Sequence, residues 1–598
     1  MILQALAKLY DDLRQQNDRV PVYGYSSVAV SAIVAIDKEG DLIDIVPAAS
    51  DENKMAEMIV PIHFKRQGII PRPYYLCDAF PYVFGIEPDG KKYKNAEEKE
   101  HAELKAKEKR VAFCQKHQEL LKPIAVSEAQ ALLSFLDKWK PLDSKNKEII
   151  NSATSFATKG SLVFRCVETG RFIHNVPEIQ KAVLTALMDE EEDLYGMCLV
   201  TGEYCKISRT HNSVKGIYSP SIAPNGWTLV SFDKDSLAFS SFGKIQGENA
   251  PVSKKIEFAY TTALNYLLSD RQSVNHIGDT TIICWAAGAN PQYSRVSSAA
   301  VFGKEPPQNM SEGDLRRAVK RLAEGLPCPE YSLYPDTDFY ILGLSPNSAR
   351  LSVRFFYRSS FGELMRNVHE HQERMQIVGE ERPISIWKLL QETVRKPDPS
   401  KKESAIDPLP VLAGAVSRSI LSGMRYPAAL LETVYFRIRA EREVTSVKAA
   451  IIKAYYLKNQ NPKVPKEVLT VSLNESSTNV PYTLGRLFAV YEAAQERANP
   501  GISATIRDKY FNAAAATPAH IFPVLNSLYH HHLRKMDTKS KDWFEKQVGA
   551  LEGVLGENFP IRLILPEQGA FQLGYYHQKQ KRFEKRRITD HGSYQKPV

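Results

Sequence analysis

The sequence predicts an α+β protein: mixed sheet and helix domains in the N-terminal and central parts, followed by an all-α C-terminal helical bundle. Three observations lead there. Short β-branched runs with a period near two fall between Val28 and Tyr357. Apolar stripes at helical spacing take over after residue 404. A length of 598 residues exceeds what one hydrophobic core organises, so several domains are expected, divided as 1–150, 151–400 and 401–598.

Ile2, Leu3, Leu6, Leu9, Tyr10 and Leu13 recur at helical spacing and predict an opening amphipathic helix. Val28 to Ile36 and Leu42 to Val46 flank Asp37-Lys38-Glu39-Gly40-Asp41, which predicts a hairpin at a sheet edge. Lys91 to Lys122 holds ten Lys or Arg against six Glu and reads as a helix with a solvated face. Trp227 to Phe232, Thr280 to Trp285, Phe339 to Leu344 and Leu351 to Tyr357 read as strands, and Asn249 to Leu268 as a loop running into a helix. Pro397 to Ser404 is polar and aperiodic, a linker. Beyond it, three stripes mark bundle helices: Leu484, Leu487, Phe488 and Tyr491; Ile521, Val524, Leu525 and Leu528; Phe544, Val548, Leu551 and Leu555. Asn499-Pro500-Gly501, Thr517-Pro518 and Phe559-Pro560 divide them.

A composition of 43% apolar and 25% charged residues belongs to a folded globular chain. The formal charge of +9 makes nucleic acid or an anionic surface a candidate partner. Seven scattered cysteines suit no disulfide framework and fit a reducing compartment. Lys8, Asp11, Asp12 and Arg14 interrupt the place of a signal peptide, and no apolar run approaches a membrane span, so a cytoplasmic protein is expected.

Enzyme signatures are weak. Gly85 to Lys92 nearly spells a phosphate-binding loop, but Lys92 stands where Ser or Thr must hold magnesium, and Glu87 and Asp89 repel phosphates. Cys166, His174, Cys198 and Cys205 lack the short pairings of structural zinc, so buried or incidental thiols are the better reading. Of His530-His531-His532, only His532 falls on an apolar stripe, and packing explains the run, with His520, better than metal does. The local signatures of serine hydrolases, dinucleotide enzymes and zincins are missing. No catalytic residue, metal or cofactor is expected; a nuclease built from scattered carboxylates stays open as the alternative.

The basic clusters carry more. From Ile59 to Cys77 there is no Asp or Glu, while Lys65, Arg66 and Arg72 stand among Gln67, Gly68, Phe64, Tyr74 and Tyr75. Cations that hold phosphates, an amide that reads a groove edge and aromatic wedges are what a groove-reading loop needs. A surface loop whose tyrosines fill the core beneath is the alternative. Arg425 to Lys466 holds nine Lys or Arg, among them Arg425, Arg437, Arg439 and Arg442, against three Glu. The tail after Tyr576 adds Lys579, Lys581, Arg582, Lys585, Arg586, Arg587 and Lys596 against Glu584 and Asp590. Both suit a phosphate backbone, with solvated helix faces the alternative. Lys244, Gln246 and Asn249 form a polar loop before a helix, a contact to DNA or a neighbouring subunit, or simply a capping loop.

Several stretches resemble the large subunit of the type I-C CRISPR surveillance complex, Cascade. They are Met1 to Leu6, Lys65-Arg66, Leu76-Cys77-Asp78, Tyr82-Val83-Phe84-Gly85, Cys198-Leu199-Val200-Thr201-Gly202-Glu203, Gln246 to Ser253 and Phe258 to Leu268. Later come Leu342 to Asn347, Leu351 to Phe355, Arg437 to Glu441, Leu484 to Val490 and Gly574 to Gln578.

The resemblance implies a non-enzymatic role in antiviral defence. Such a subunit binds near the 5′ end of a CRISPR RNA beside backbone and handle-binding subunits. It recognises the protospacer-adjacent motif (PAM) in target double-stranded DNA, promotes R-loop formation, stabilises the displaced single strand and recruits a separate helicase–nuclease. Lys65, Arg66, Gln67 and Arg72, with Tyr74, are then expected at the PAM duplex. Tyr74 departs from the small polar residue or Asn usual in the family at that place, which bears on the motif read. The resemblance also implies a small helical subunit translated from within the same gene, here beginning near Glu467. No Met lies between Met424 and Met536, so such a start uses another codon, at Val468 or Val471.

Overall fold

In the computed structural model, residues 1–17, 20–51, 54–63, 70–87, 96–140, 143–189, 194–218, 226–232, 243–397, 406–556 and 559–591 are described, save the side chains at 145, 189 and 584–591. They fall into two units: Met1–Asn212 with Val230–Ala263, and Ser213–Leu229 with Leu264–Val598.

The first unit opens with α1 (Ile2–Gln16), the expected amphipathic helix, which buries Leu6, Leu9, Tyr10 and Leu13. β1 (Tyr25–Ile36) is the spine of its sheet. Val30, Ala32, Val34 and Ile36 are all fully buried on one face, because strand side chains alternate. β2 (Leu42–Pro47) returns antiparallel along the second half of β1, the hairpin expected from sequence, and β3 (Ala56–Pro61) pairs with the first half. Gly40 makes that hairpin turn at φ 85°, and a Cβ there would lie 2.4 Å from the Phe135 nitrogen, so only glycine fits.

After β4 (Cys77–Ala79) and α2 (Phe80–Phe84) come α3 (Ala96–Leu121), α4 (Ser127–Lys138) and α5 (Ser144–Ala157), then β5 (Ser161–Cys166). β5 runs parallel to β1 and antiparallel to β4, giving the order β2-β1-β5-β4 with β3 also on β1. A parallel partner requires a crossover, and α4 and α5 pack on β1 within it. Residue 150 lies inside α5, upstream of this strand. α6 (Pro177–Asp189), the hairpin β6 (Tyr195–Met197) and β7 (Tyr204–Lys206), and α7 (Lys254–Ser269) complete the unit, which ends within α7.

In the second unit β8 (Asn275–Ile277) and β9 (Thr280–Ala286) precede α8 (Pro291–Phe302) and α9 (Glu312–Ala323); β10 (Asp338–Asn347) and β11 (Arg350–Ser360) precede α10 (Phe361–Met375). The sheet is antiparallel in the order β11-β10-β9-β8 and contains three of the expected strands. Trp227 to Phe232 is not a strand. Trp227 pairs with Val214 and Thr228 with Arg350, so the partner changes after one residue and no ladder forms. Of the expected linker at 397–404, only Pro397 lies among the described residues.

α11 (Ile386–Gln391) precedes that linker, and from residue 406 onward the described chain is helical: α12 (Pro410–Leu421), α13 (Ala428–Glu441), α14 (Ser446–Asn459), α15 (Val480–Ala498), α16 (Ile506–Ala516), α17 (Pro518–Leu533), α18 (Thr538–Leu555) and α19 (Leu565–His591). The stripes of α15 and α18 are buried as expected. That of α17 is rotated: Phe522, Leu525, Tyr529 and Leu533 are buried while Val524 is exposed. One apolar cluster runs from Ile277 in β8 to Tyr576 in α19, so sheet and helices share a core.

α15 is buried on every side from Tyr482 to Ala494 because α16 to α19 surround it. Two glycines set its crossing with α19. A Cβ on Gly485 would lie 1.9 Å from the Phe571 carbonyl oxygen, and one on Gly574 would lie 2.0 Å from that of Tyr482.

Five histidines are buried neutral. Burial holds His117 and His371 down to about 3, and His174, His211 and His577 to about 4. His211, His371 and His577 each share a hydrogen bond at Nδ1 with a tyrosine hydroxyl, from Tyr260, Tyr426 and Tyr482.

Gly485→Ala is expected to destabilise the second unit by about 3 kcal/mol, since backbone must move to admit the methyl group. Gly549→Ala, where nothing lies within 4 Å, should stabilise α18 by up to about 1 kcal/mol. Urea unfolding followed by circular dichroism separates the two. The histidines predict a pH dependence of known sign. The unfolded chain takes up protons near pH 6.5 that the folded chain refuses until about 3 to 4, so stability falls as pH drops below 6.5. Each histidine contributes up to about 1.4 kcal/mol per pH unit, and a urea midpoint unchanged between pH 7.5 and 5 would contradict their neutral burial.

Candidate nucleic-acid interface

The segment that the sequence marks for DNA leaves the sheet after β3 and returns at β4. Lys65, Arg66 and Gln67 lie outside the described residues. Both ends of the segment are described, and they are locked together. The Tyr74 ring stacks on His63 at 3.9 Å between centroids and 12° between planes. His63 Nε2 is hydrogen-bonded to the Cys77 carbonyl at 2.9 Å. Asp78 is fully buried and accepts the Tyr74 N–H at 2.8 Å and the Ala79 N–H at 2.7 Å. Leu76 sits at φ 57°, an unfavourable region for a branched side chain, and its N–H donates to His117 Nε2 at 2.8 Å. His117 Nδ1 donates in turn to the Phe113 carbonyl at 2.7 Å, which fixes a neutral ring with Nε2 as acceptor. Lys116 lies 3.8 Å above the centre of the Tyr75 ring. Tyr75 is buried, Tyr74 half-buried, and Arg72 exposed in the loop that leads back to β4.

Sequence reasoning named Arg72 and Tyr74 but missed His63, Lys116 and His117, and it quoted Asp78 without a role. His117 gave no local signal: it sits in the most highly charged helix, and only the fold brings it under Leu76. Arg110 of the same helix is also structural, buried and donating to the carbonyls of Val83 at 2.6 Å and Leu136 at 3.2 Å. Burial lowers its guanidinium to about 10. Gly85, the start of the near phosphate loop, ends α2 at φ 72° and abuts Arg110; the residues from 88 to 92 lie outside the described ones.

The fold brings two more quoted stretches together. The turn Cys198 to Glu203 joins β6 to β7 and rests on the loop Gln246 to Ser253: Leu199 N–H donates to the Pro251 carbonyl at 2.9 Å, Ser208 N–H to that of Val252 at 2.9 Å, and Ser253 N–H to Cys198 Sγ at 3.3 Å. Gly247 N–H donates to the Arg209 carbonyl at 3.0 Å, and a Cβ on Gly247 would lie 2.0 Å from the Ser208 carbonyl oxygen. Asn249 is turned inward to this loop, its Nδ2 donating to the carbonyls of Gln246 at 3.0 Å and Lys244 at 3.4 Å. Lys244 is exposed and Gln246 half-buried. Burial raises the Cys198 thiol, but N–H groups of Ser253, Thr201 and Val200 outweigh it and bring the thiol down to about 7.

The C-terminal cations are more committed than their count suggests. Arg437 pairs with Glu441 at 2.5 Å, Arg439 donates to Gln568 at 2.9 Å, and Arg442 donates to the Asp508 carbonyl. Lys581 pairs with Glu475, and Arg582 with Glu496 at 3.0 Å. Arg425 is exposed; the side chain of Arg586 lies outside the described ones. Lys448 is fully buried between Glu441 and Glu392, and Lys453 is buried too, its ammonium lowered by burial to about 8.

Among the described residues no three His, Cys, Asp or Glu side chains gather as a metal site, and Cys166, His174, Cys198 and Cys205 do not converge. All seven cysteines are free. His532 is buried on α17 while His530 and His531 are exposed, as the helical spacing predicts. No described helix is long and apolar enough to cross a membrane.

The family model described as CRISPR-associated protein (Cas_Csd1) matches residues 6–583, nearly the whole chain. No curated protein matches it. The match agrees with the sequence resemblance at the level of a CRISPR-associated protein, and by it the chain belongs to the Cas_Csd1 family.

Proposed function

We propose that the chain is the non-catalytic large subunit of a type I-C Cascade, which reads the PAM in duplex DNA from the loop between β3 and β4. The observation that carries this reading is the locked base of that loop, in a chain whose family is CRISPR-associated. A reader of a short motif must hold its contacts within a fraction of an ångström, whereas phosphate attraction alone tolerates slack. The His63–Tyr74 stack, the Asp78 carboxylate and the His117 ring supply that rigidity at both ends of the loop. Lys65, Arg66 and Arg72 then meet phosphates, Gln67 a base edge, and Tyr74 the minor or major groove wall. Lys244 and Gln246 are left as the outward members of the second loop, for DNA or a neighbouring subunit. Arg425 and the cations of α19 lie along the displaced strand, and a helicase–nuclease cuts the DNA. CRISPR RNA, the backbone and handle-binding subunits and a small helical subunit translated from near Glu467 are its companions.

Lys65→Ala with Arg66→Ala is expected to weaken binding of PAM-containing duplex by the assembled complex about tenfold or more at moderate salt, read by gel shift. EDTA should leave that affinity unchanged, whereas a metal-dependent nuclease would show magnesium-dependent cleavage that EDTA abolishes. His117→Ala should reduce discrimination between PAM and non-PAM duplexes more than it reduces affinity for non-PAM DNA. Equal loss on both sequences would make His117 a mere stability residue, and unchanged discrimination would remove the locked base from the mechanism.

A further inference from the structure

α3 holds six Lys or Arg and six Glu, so by count alone it is neutral. Their arrangement is not. At about 3.6 residues per turn, Lys105, Lys109 and Lys116 fall within about 40° of one another, along one border of the face that buries Ala106, Arg110, Phe113 and His117. Ala112 lies on the same line, so no carboxylate interrupts it between residues 105 and 116. Glu98, about two turns before Lys105, marks where the line ends, and Glu108 and Glu119 stand about 60° to 80° further round, on the side away from the buried face. The chain that returns from the β3–β4 loop supplies the floor beside this line. Lys116 lies 3.8 Å above the centre of the buried Tyr75 ring, and Lys109 lies 5.7 Å above that of the buried Tyr82 ring. Such contacts hold two ammonium groups in place without neutralising them. Arg437, Lys448 and Arg582, by contrast, are tied to carboxylates. Lys105 is exposed, and neither it nor Lys109 enters an ion pair among the described residues. Through His117, which accepts the Leu76 N–H at 2.8 Å, the helix is fastened to the base of that loop.

Spacing and charge decide what fits the line. With a rise of about 1.5 Å per residue, the three cations stand about 6 Å and about 10 Å apart along the helix. One strand of duplex DNA presents a phosphate about every 3.4 Å of its axis, so these intervals are about two and about three phosphate steps. Ala112 and the buried tyrosine rings offer nothing to a base edge, so recognition here is of the backbone alone. The line is also continuous with the described base of the β3–β4 loop, because Tyr75 follows Tyr74, which we place at a groove wall.

We infer that this flank of α3 is a track for the phosphate backbone of the duplex that lies outside the PAM, whatever the sequence of that duplex. The inference rests on the reading of the chain as a PAM reader. The test uses the full chain in the complex assembled by co-expression with its neighbouring subunits and a CRISPR array. It compares two PAM-containing duplexes whose flanks outside the motif run for about ten and about two base pairs. The wild-type complex should bind the long-flank duplex about tenfold more tightly. Lys105→Gln, Lys109→Gln and Lys116→Gln together should remove that advantage and leave the short-flank affinity as it was. They should also flatten the dependence of log affinity on log salt by about 2 to 3 for the long flank. Lys105→Arg, Lys109→Arg and Lys116→Arg together should retain wild-type behaviour throughout. If the triple Gln variant melts earlier than the wild-type chain, Lys105→Gln with Lys109→Gln, which keeps the contact of Lys116 with Tyr75, carries the same test with a slope change of about 2. Equal wild-type affinity for both flanks, equal loss by the variant on both, or an unchanged salt slope overturns the inference. So does failure of the variant to assemble, which assigns the flank to an acidic protein surface. A wild-type complex that binds duplexes with and without the PAM alike overturns the functional reading itself, and this inference falls with it.

Discussion

β1 must satisfy hydrogen bonds along both edges, and the first unit is arranged around that requirement. One edge is shared in succession by β2 and β3, and the other is taken by β5 in parallel. β3 and β4 are thereby set on opposite sides of β1 and β5, and the segment between them connects the two sides. In sequence, that segment is the one with Lys65, Arg66 and Arg72. The bonds at His63, Tyr74, Leu76 and Asp78 tie the described ends of that segment to the sheet on both sides.

Much of this architecture was readable in the sequence because it is local. The β1–β2 hairpin follows from alternation around Gly40, and the bundle helices follow from stripes such as Phe544, Val548, Leu551 and Leu555. What could not be read depends on distant partners. β5 has an ordinary sequence, and its pairing to β1 and β4, both distant in sequence, makes it a sheet strand. Trp227 to Phe232 has strand composition but finds no continuous edge to pair with. On α17 the rotation that exposes Val524 and buries Phe522 and Tyr529 is set by the position of Tyr491 on α15, whose ring lies 4.9 Å from that of Tyr529.

The candidate site divides the same way. Arg72 and Tyr74 were identifiable because a basic, aromatic, carboxylate-free stretch is a compositional signal. His63, His117 and Asp78 were not, because a residue that positions another needs no distinctive neighbours in sequence. Asn249 shows the converse: it carries a polar side chain in a polar loop, yet spends its donors on the carbonyls of Lys244 and Gln246.

Counting cations along a sequence also overstates the field they make. Lys448 neutralises Glu441 and Glu392 in the interior, Arg437 adds to the same cluster, and Lys579 and Arg582 pair with Glu492 and Glu496 of α15. Removing one member of the buried Lys448, Glu441 and Glu392 set leaves an uncompensated charge, so Lys448 serves the fold before it serves a ligand. With so many committed internally, long-range attraction to polyphosphate is left to a smaller group. Nucleic-acid recognition of the kind we propose, by a protein with a modest net charge, then has to come from a few contacts held in fixed geometry. The described ends of the segment between β3 and β4, locked at His63, Tyr74 and Asp78, supply fixed geometry of that kind.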